Sequence, residues 1–119
     1  MTAISVTTIY HNPRCTKSRQ TLQLVRDHGV EPLIIEYLKD PPSEAALTKL
    51  VKQLGIEPYD LLRRNEQPYK DLNLAKKKDD PKALIKAMAQ HPILIQRPIV
   101  VKGSKAALGR PPEDVLAIL

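Results

Sequence analysis

Apolar positions along the chain follow two rhythms, one of period two and one of helical spacing. Ile4 to Tyr10 (ISVTTIY) alternates β-branched and small residues and predicts a strand. His11-Asn12-Pro13-Arg14-Cys15 is turn-prone. From Thr16 to His28 the pattern becomes helical: Leu22 and Val25 are three apart, polar residues fill the other face, and Gly29 marks the stop. Leu33 to Tyr37 (LIIEY) predicts a second strand. Pro41-Pro42 then breaks the chain, and Ser43 is a good N-cap. Ala46, Leu47, Leu50, Val51 and Leu54 recur at helical spacing as far as Gly55. Pro58 to Arg64 predicts a short helix. Asp80 with Pro81 reads as a cap followed by a first-turn proline, Leu84, Ile85 and Met88 form a stripe, and Pro92 closes that helix. Ile99–Lys102 and Lys105–Leu108 flank Gly103-Ser104, a two-residue hairpin turn. Pro111-Pro112 opens a final amphipathic helix carrying Val115, Leu116 and Leu119.

The order is β-α-β, then helices, then β-β-α. A β-α-β unit implies parallel strands joined by a right-handed crossover, and the closing hairpin adds an antiparallel pair. The expected class is α/β, with a mixed four-stranded sheet flanked by helices. The helical stretch from Ser43 to Gln90 reads as an insertion between the two β parts. At 119 residues the chain is expected to form one domain.

Composition narrows the possibilities. Apolar residues make up 42% and there is no Trp or Phe, so the core must be aliphatic. No apolar run approaches the roughly 20 residues needed to span a bilayer. Met1 to Val6 has no basic patch followed by an apolar stretch, so no signal peptide is expected, and a cytoplasmic location follows. The net charge of +6 favours anionic partners. Nucleic acid is not the expected one: the only aromatics are four Tyr, and no nucleic-acid-binding motif is present. The basic run Lys76-Lys77-Lys78 is followed at once by Asp79-Asp80, as on a solvated face. No exposed apolar seam stands out, which favours a monomer.

Cys15 is the only cysteine, so an internal disulfide is impossible and no thiolate metal cluster is expected. It lies between a strand and a helix, where unpaired backbone N–H groups stabilise negative charge. Arg14, Lys17, Arg19 and His11 are close in sequence, and each favours thiolate over thiol. Such surroundings bring a Cys pKa from about 8.5 into the range of about 3.5 to 7.5. Position 18 is Ser, so the motif is Cys-x-x-Ser. A Ser hydroxyl can donate to a thiolate but cannot resolve a disulfide, so any adduct on Cys15 needs an external thiol.

Three arginines stand apart. Arg63 ends the run Tyr-Asp-Leu-Leu-Arg, while Arg97 precedes Pro98 and Arg110 precedes Pro111. A residue before proline is biased to extended conformations, which aims its side chain reproducibly. Guanidinium forks gathered around one thiolate would make a pocket for a tetrahedral oxyanion.

The stretch Tyr10-His11-Asn12-Pro13-Arg14-Cys15-Thr16-Lys17-Ser18-Arg19 resembles the active-site loop of the glutaredoxin-linked arsenate reductases. So do Leu61-Leu62-Arg63, His91-Pro92-Ile93-Leu94, Arg97-Pro98-Ile99-Val100-Val101 and Gly109-Arg110-Pro111-Pro112-Glu113. The resemblance implies a thioredoxin-like fold with a helical insertion. It implies Cys15 as nucleophile, Arg63, Arg97 and Arg110 as the arsenate-binding residues, and His11, with Ser18, as thiolate-tuning residues. It implies a cis peptide bond at Pro98. Arsenate would be the substrate, with no bound cofactor or metal; glutathione would be co-substrate and glutaredoxin the protein partner. The plasmid-borne members have Gly and Thr after the Cys, where this chain has Thr16 and Lys17, and they often carry a second Cys where it has Gly109. It looks more like the short chromosomal members.

Three other readings fit the residues less well. A glutathione-dependent thiol/disulfide reductase on the same fold has no need for three arginines at the thiolate. A redox-sensing regulator like the RNA polymerase-binding relatives would carry Cys-x-x-Cys, against which Ser18 stands. A phosphatase-like arsenate reductase needs Cys-x5-Arg, and position 21 is Thr.

Overall fold

A computed structural model describes residues 6–119. Its strands are β1 (Thr7–His11), β2 (Leu33–Glu36), β3 (Ile99–Lys102) and β4 (Lys105–Leu108). Its α-helices are α1 (Thr16–Asp27), α2 (Glu44–Leu54), α3 (Gln67–Asp71) and α4 (Pro81–Gln90). Shorter 3-10 segments cover Pro58–Leu61, Leu74–Lys77, Pro92–Leu94 and Pro112–Ile118. Ile4 and Ser5, the start of the first predicted strand, lie outside the described residues. The chain divides into two compact units: the part up to Tyr37 with Arg97–Leu119, and Leu38–Gln96.

The first unit holds the sheet, in the order β2-β1-β3-β4. β1 runs parallel to β2 and antiparallel to β3, and β3 runs antiparallel to β4. Thr7, Ile9 and His11 are buried while Thr8 and Tyr10 are half-buried, the alternation a pleated strand imposes. Ile9 sits opposite Val100. These two join Val25 of α1 and Val115 of the C-terminal segment in a fully buried aliphatic cluster. Burying each such side chain contributes about 1.5–3 kcal/mol. The cluster therefore clamps α1, and the loop that leads into it, onto β1.

Local signals place most element ends. Gly29 follows α1 at φ +83, a left-handed conformation that glycine adopts without steric cost. The Ser43 hydroxyl accepts from the Ala46 N–H at 3.1 Å, and Asp80 accepts from the Ala83 N–H at 3.2 Å. In the second unit, Leu47, Leu50 and Val51 of α2 pack against α4, whose Leu84, Ile85, Ala87 and Met88 are buried.

Two predicted helices are shorter and tighter than expected. After Pro58–Leu61 the chain extends, because Leu62 bridges to Ile95: the Arg63 N–H donates to the Leu94 carbonyl at 2.7 Å and Gln96 N–H to that of Leu61 at 2.8 Å. A pairing partner more than thirty residues away thus replaces the next helical turn. Pro112–Ile118 forms a 3-10 segment where a longer amphipathic helix is expected. Val115 is buried as expected, but Leu116 is exposed. The helix α3 was not foreseen; it is only five residues long and buries none of them.

Candidate active site

Cys15 is the N-cap of α1, with extended backbone (φ −91, ψ 122). It is half-buried and free. Its position follows from the preceding turn: the Cys15 N–H donates to the Asn12 carbonyl at 3.0 Å, and Pro13 and Arg14 form the bend. The Asn12 side chain accepts from the Arg14 N–H at 3.0 Å. Arg19 reaches back from α1 to the Pro13 carbonyl at 2.9 Å and to the Thr16 hydroxyl at 3.3 Å.

The first turn of α1 contains no acidic residue. Partial burial pushes the Cys15 thiol up, as desolvation does to any anion. The Ser18 backbone N–H, the charge and hydrogen bonding of the Arg97 guanidinium, and the Lys17 N–H together outweigh it. The net result is a thiol below its ordinary pKa, a shift toward the thiolate form.

Ser18 is fully buried, and it acts on the sulfur through its backbone rather than its hydroxyl. The hydroxyl lies 2.7 Å from His11 Nδ1 and accepts from the Asn12 N–H at 3.0 Å. The imidazole and the Asn12 N–H thus meet on one hydroxyl. Burial holds His11 below the usual imidazole range; Glu36 opposes this, and Arg26 and Arg19 add to it. A neutral ring fits this environment. His11 therefore braces the start of α1 through Ser18 and meets the loop as a neutral group.

Arg97 is half-buried, and its Nε and Nη1 are buried without a hydrogen-bond partner among the described residues. Arg97–Pro98 is a cis peptide, as expected at this position, and Arg110–Pro111 is a second one. Arg110 is exposed, and its Nη1 reaches the Arg97 carbonyl at 3.4 Å. The first unit thus brings together Cys15, Ser18, His11, Arg97 and, beside Arg97, Arg110. Arg63 belongs to the second unit, where its Nη1 donates to Glu66 at 2.8 Å. Sequence alone marks the stretch around Asn12 as turn-prone but assigns Asn12 itself no part in the site. Among the described residues no group of three or more His, Cys, Asp or Glu could hold a metal ion. No helix of the described residues is long and apolar enough to cross a membrane.

A half-buried Cys shifted toward thiolate thus stands beside a guanidinium with two unpaired nitrogens among the described residues. The comparisons with known proteins agree with the resemblance. The uncharacterized protein YfgD of Escherichia coli K12 is 51% identical over 112 residues, covering 93% of this chain and 94% of its own. An arsenate reductase of Escherichia coli is 52% identical over 112 residues, 94% of this chain and 79% of its own. The solved structure of the arsenate reductase from Vibrio cholerae is 47% identical, with a TM-score of 0.93 over 98% of this chain and all of that one. The fold is thioredoxin-like. The ArsC family model matches residues 10–118, and the chain belongs to the ArsC family.

Proposed function

We propose that this protein reduces arsenate to arsenite, with Cys15 as nucleophile and glutathione and glutaredoxin as electron donors. Two buried nitrogens of Arg97 lack any acceptor beside a thiol that the same guanidinium favours as thiolate. Buried polar groups are nearly always paired, so two unpaired guanidinium nitrogens beside a nucleophile support an oxyanion-binding role. Arsenate offers acceptor oxygens of the kind that Nε and Nη1 lack, and its negative charge suits charge-assisted hydrogen bonds from a guanidinium.

In the proposed cycle the Cys15 sulfur attacks pentavalent arsenic, and one arsenate oxygen leaves as water after protonation. Arg97 and Arg110 offset the oxyanion charge as the sulfur approaches; the resemblance assigns Arg63 to the same task. Glutathione then attacks the adduct and glutaredoxin supplies the second thiol. The two donor sulfurs end as a disulfide, arsenic leaves trivalent as arsenite, and Cys15 is regenerated. With Ser18 in place of a second Cys, both donor thiols come from outside.

The test is NADPH consumption with arsenate, glutathione, glutaredoxin and glutathione reductase. Arsenate-dependent consumption by the wild type, absent in Cys15→Ser, is the expected result. No arsenate-dependent rate with a competent glutaredoxin would overturn the proposal in favour of a thiol/disulfide reductase.

A further inference from the structure

Asn12 is nearly buried, at 9% exposure, and all three of its described bonds go to the Cys15 loop or to the residue that braces it. Its carbonyl takes the Cys15 N–H, its side-chain oxygen takes the Arg14 N–H, and its own N–H goes to the Ser18 hydroxyl. The first two bonds close a turn inside a turn, with Pro13 locking the intervening φ. The third ties that turn to the first turn of α1, where Ser18 also meets His11.

We propose that Asn12 is a positioning residue for the Cys15 nucleophile. Its side chain holds the Asn12–Cys15 turn so that the Cys15 N–H is spent within the turn. The Lys17 and Ser18 N–H groups and the Arg97 guanidinium are then left to face the sulfur. The inference rests on the reading of Cys15 as nucleophile, but not on arsenate as the substrate. The groups acting on the sulfur are Arg97 and the N–H groups of Ser18 and Lys17. His11 and Arg19 reach it only through Ser18 and Pro13. Releasing the turn lets Cys15 swing away from these donors and gives up part of the preference for thiolate.

The experiment measures the Cys15 pKa by thiolate absorbance and its iodoacetamide alkylation rate at pH 6, without arsenate. It compares wild type, Asn12→Ala and Asn12→Ser. Asn12→Ala is expected to raise the pKa by about one unit and slow alkylation about tenfold. Asn12→Ser, whose hydroxyl can still accept from the Arg14 N–H, is expected to recover most of that loss. A merely structural role would lower melting temperature without moving the pKa. An unchanged pKa in Asn12→Ala, or equal losses in the Ala and Ser variants, overturns the proposal alone. An ordinary thiol pKa in the wild type overturns the nucleophile reading as well. If Asn12→Ala does not fold, amide exchange in the wild type decides: a protected Arg14 N–H supports the turn and a freely exchanging one overturns it.

Discussion

His11 Nδ1 and Ser18 Oγ lie 2.7 Å apart, and this bond joins the end of β1 to the first turn of α1. The Ser18 hydroxyl is engaged with the ring and with the Asn12 N–H, while the sulfur of Cys15 is served by backbone donors and Arg97. Ser18→Ala strands both His11 Nδ1 and the Asn12 N–H in a buried position. An unsatisfied buried group costs about 1–3 kcal/mol. We expect a clear drop in melting temperature with only a small change in Cys15 pKa, because the Ser18 backbone N–H remains. Denaturation and thiolate absorbance on the same sample check both halves.

The depressed His11 predicts a pH dependence of stability. A group with a folded pKa below its unfolded value, about 6.5 for His, binds more protons when unfolded. Its contribution is therefore complete above pH 6.5 and is lost as pH falls through the folded value. Cys15 acts in the same direction, since its folded pKa is also lowered. Melting temperature should fall between pH 7 and pH 5, and fall less in His11→Asn, which keeps an acceptor near Ser18 but does not titrate. Equal losses in the two proteins would remove His11 as the cause.

Arg97 combines a role at the sulfur with a cost to the fold. Two buried donors without acceptors destabilise the free protein. Arg97→Met keeps the length and removes the charge. It should hold or raise the melting temperature while raising the Cys15 pKa and abolishing arsenate-dependent turnover. Arg97→Lys keeps the charge but not the fork, and should raise the KM for arsenate about tenfold or more. A variant that lost stability and kept turnover would show the guanidinium to be structural.

Gly109 tests the packing behind the site. Its N–H donates to the Pro98 carbonyl at 3.0 Å. A Cβ there would sit 2.5 Å from Thr21 Oγ1 and 2.8 Å from Pro98 Cγ. Thr21 cannot swing aside freely, because it is fully buried and its hydroxyl donates to the Lys17 carbonyl at 2.8 Å. Gly109→Ala should cost about 1–3 kcal/mol. Adding Thr21→Ala should recover part of that loss, a coupling readable in a double-mutant cycle. The same crowding bears on a second cysteine at this position, which would meet both Thr21 and Pro98.

Much of this molecule was legible in its residue order because the responsible forces are local. Ser43 and Asp80 cap the helices that follow them, and Gly29 and Gly55 end helices at positive φ. Gly103-Ser104 turns the hairpin, and the period-two pattern of Thr7, Ile9 and His11 set which face of β1 is buried. Cys15 at a helix start followed from the strand, turn and helix around it. The last helix was misjudged in kind, since period alone does not separate an α-turn from a 3-10 turn over seven residues.

What sequence spacing could not supply are the contacts between residues distant along the chain. The Leu62–Ile95 bridge cuts short a predicted helix, because backbone pairing across thirty residues leaves no local trace. Likewise, only the folded first unit carries Arg97 from just before β3 to the sulfur at the start of α1, with two nitrogens left unpaired. The residue types and the turn chemistry are written locally. Which donors the sulfur meets, and which the guanidinium lacks, is decided by how the sheet and α1 close around them.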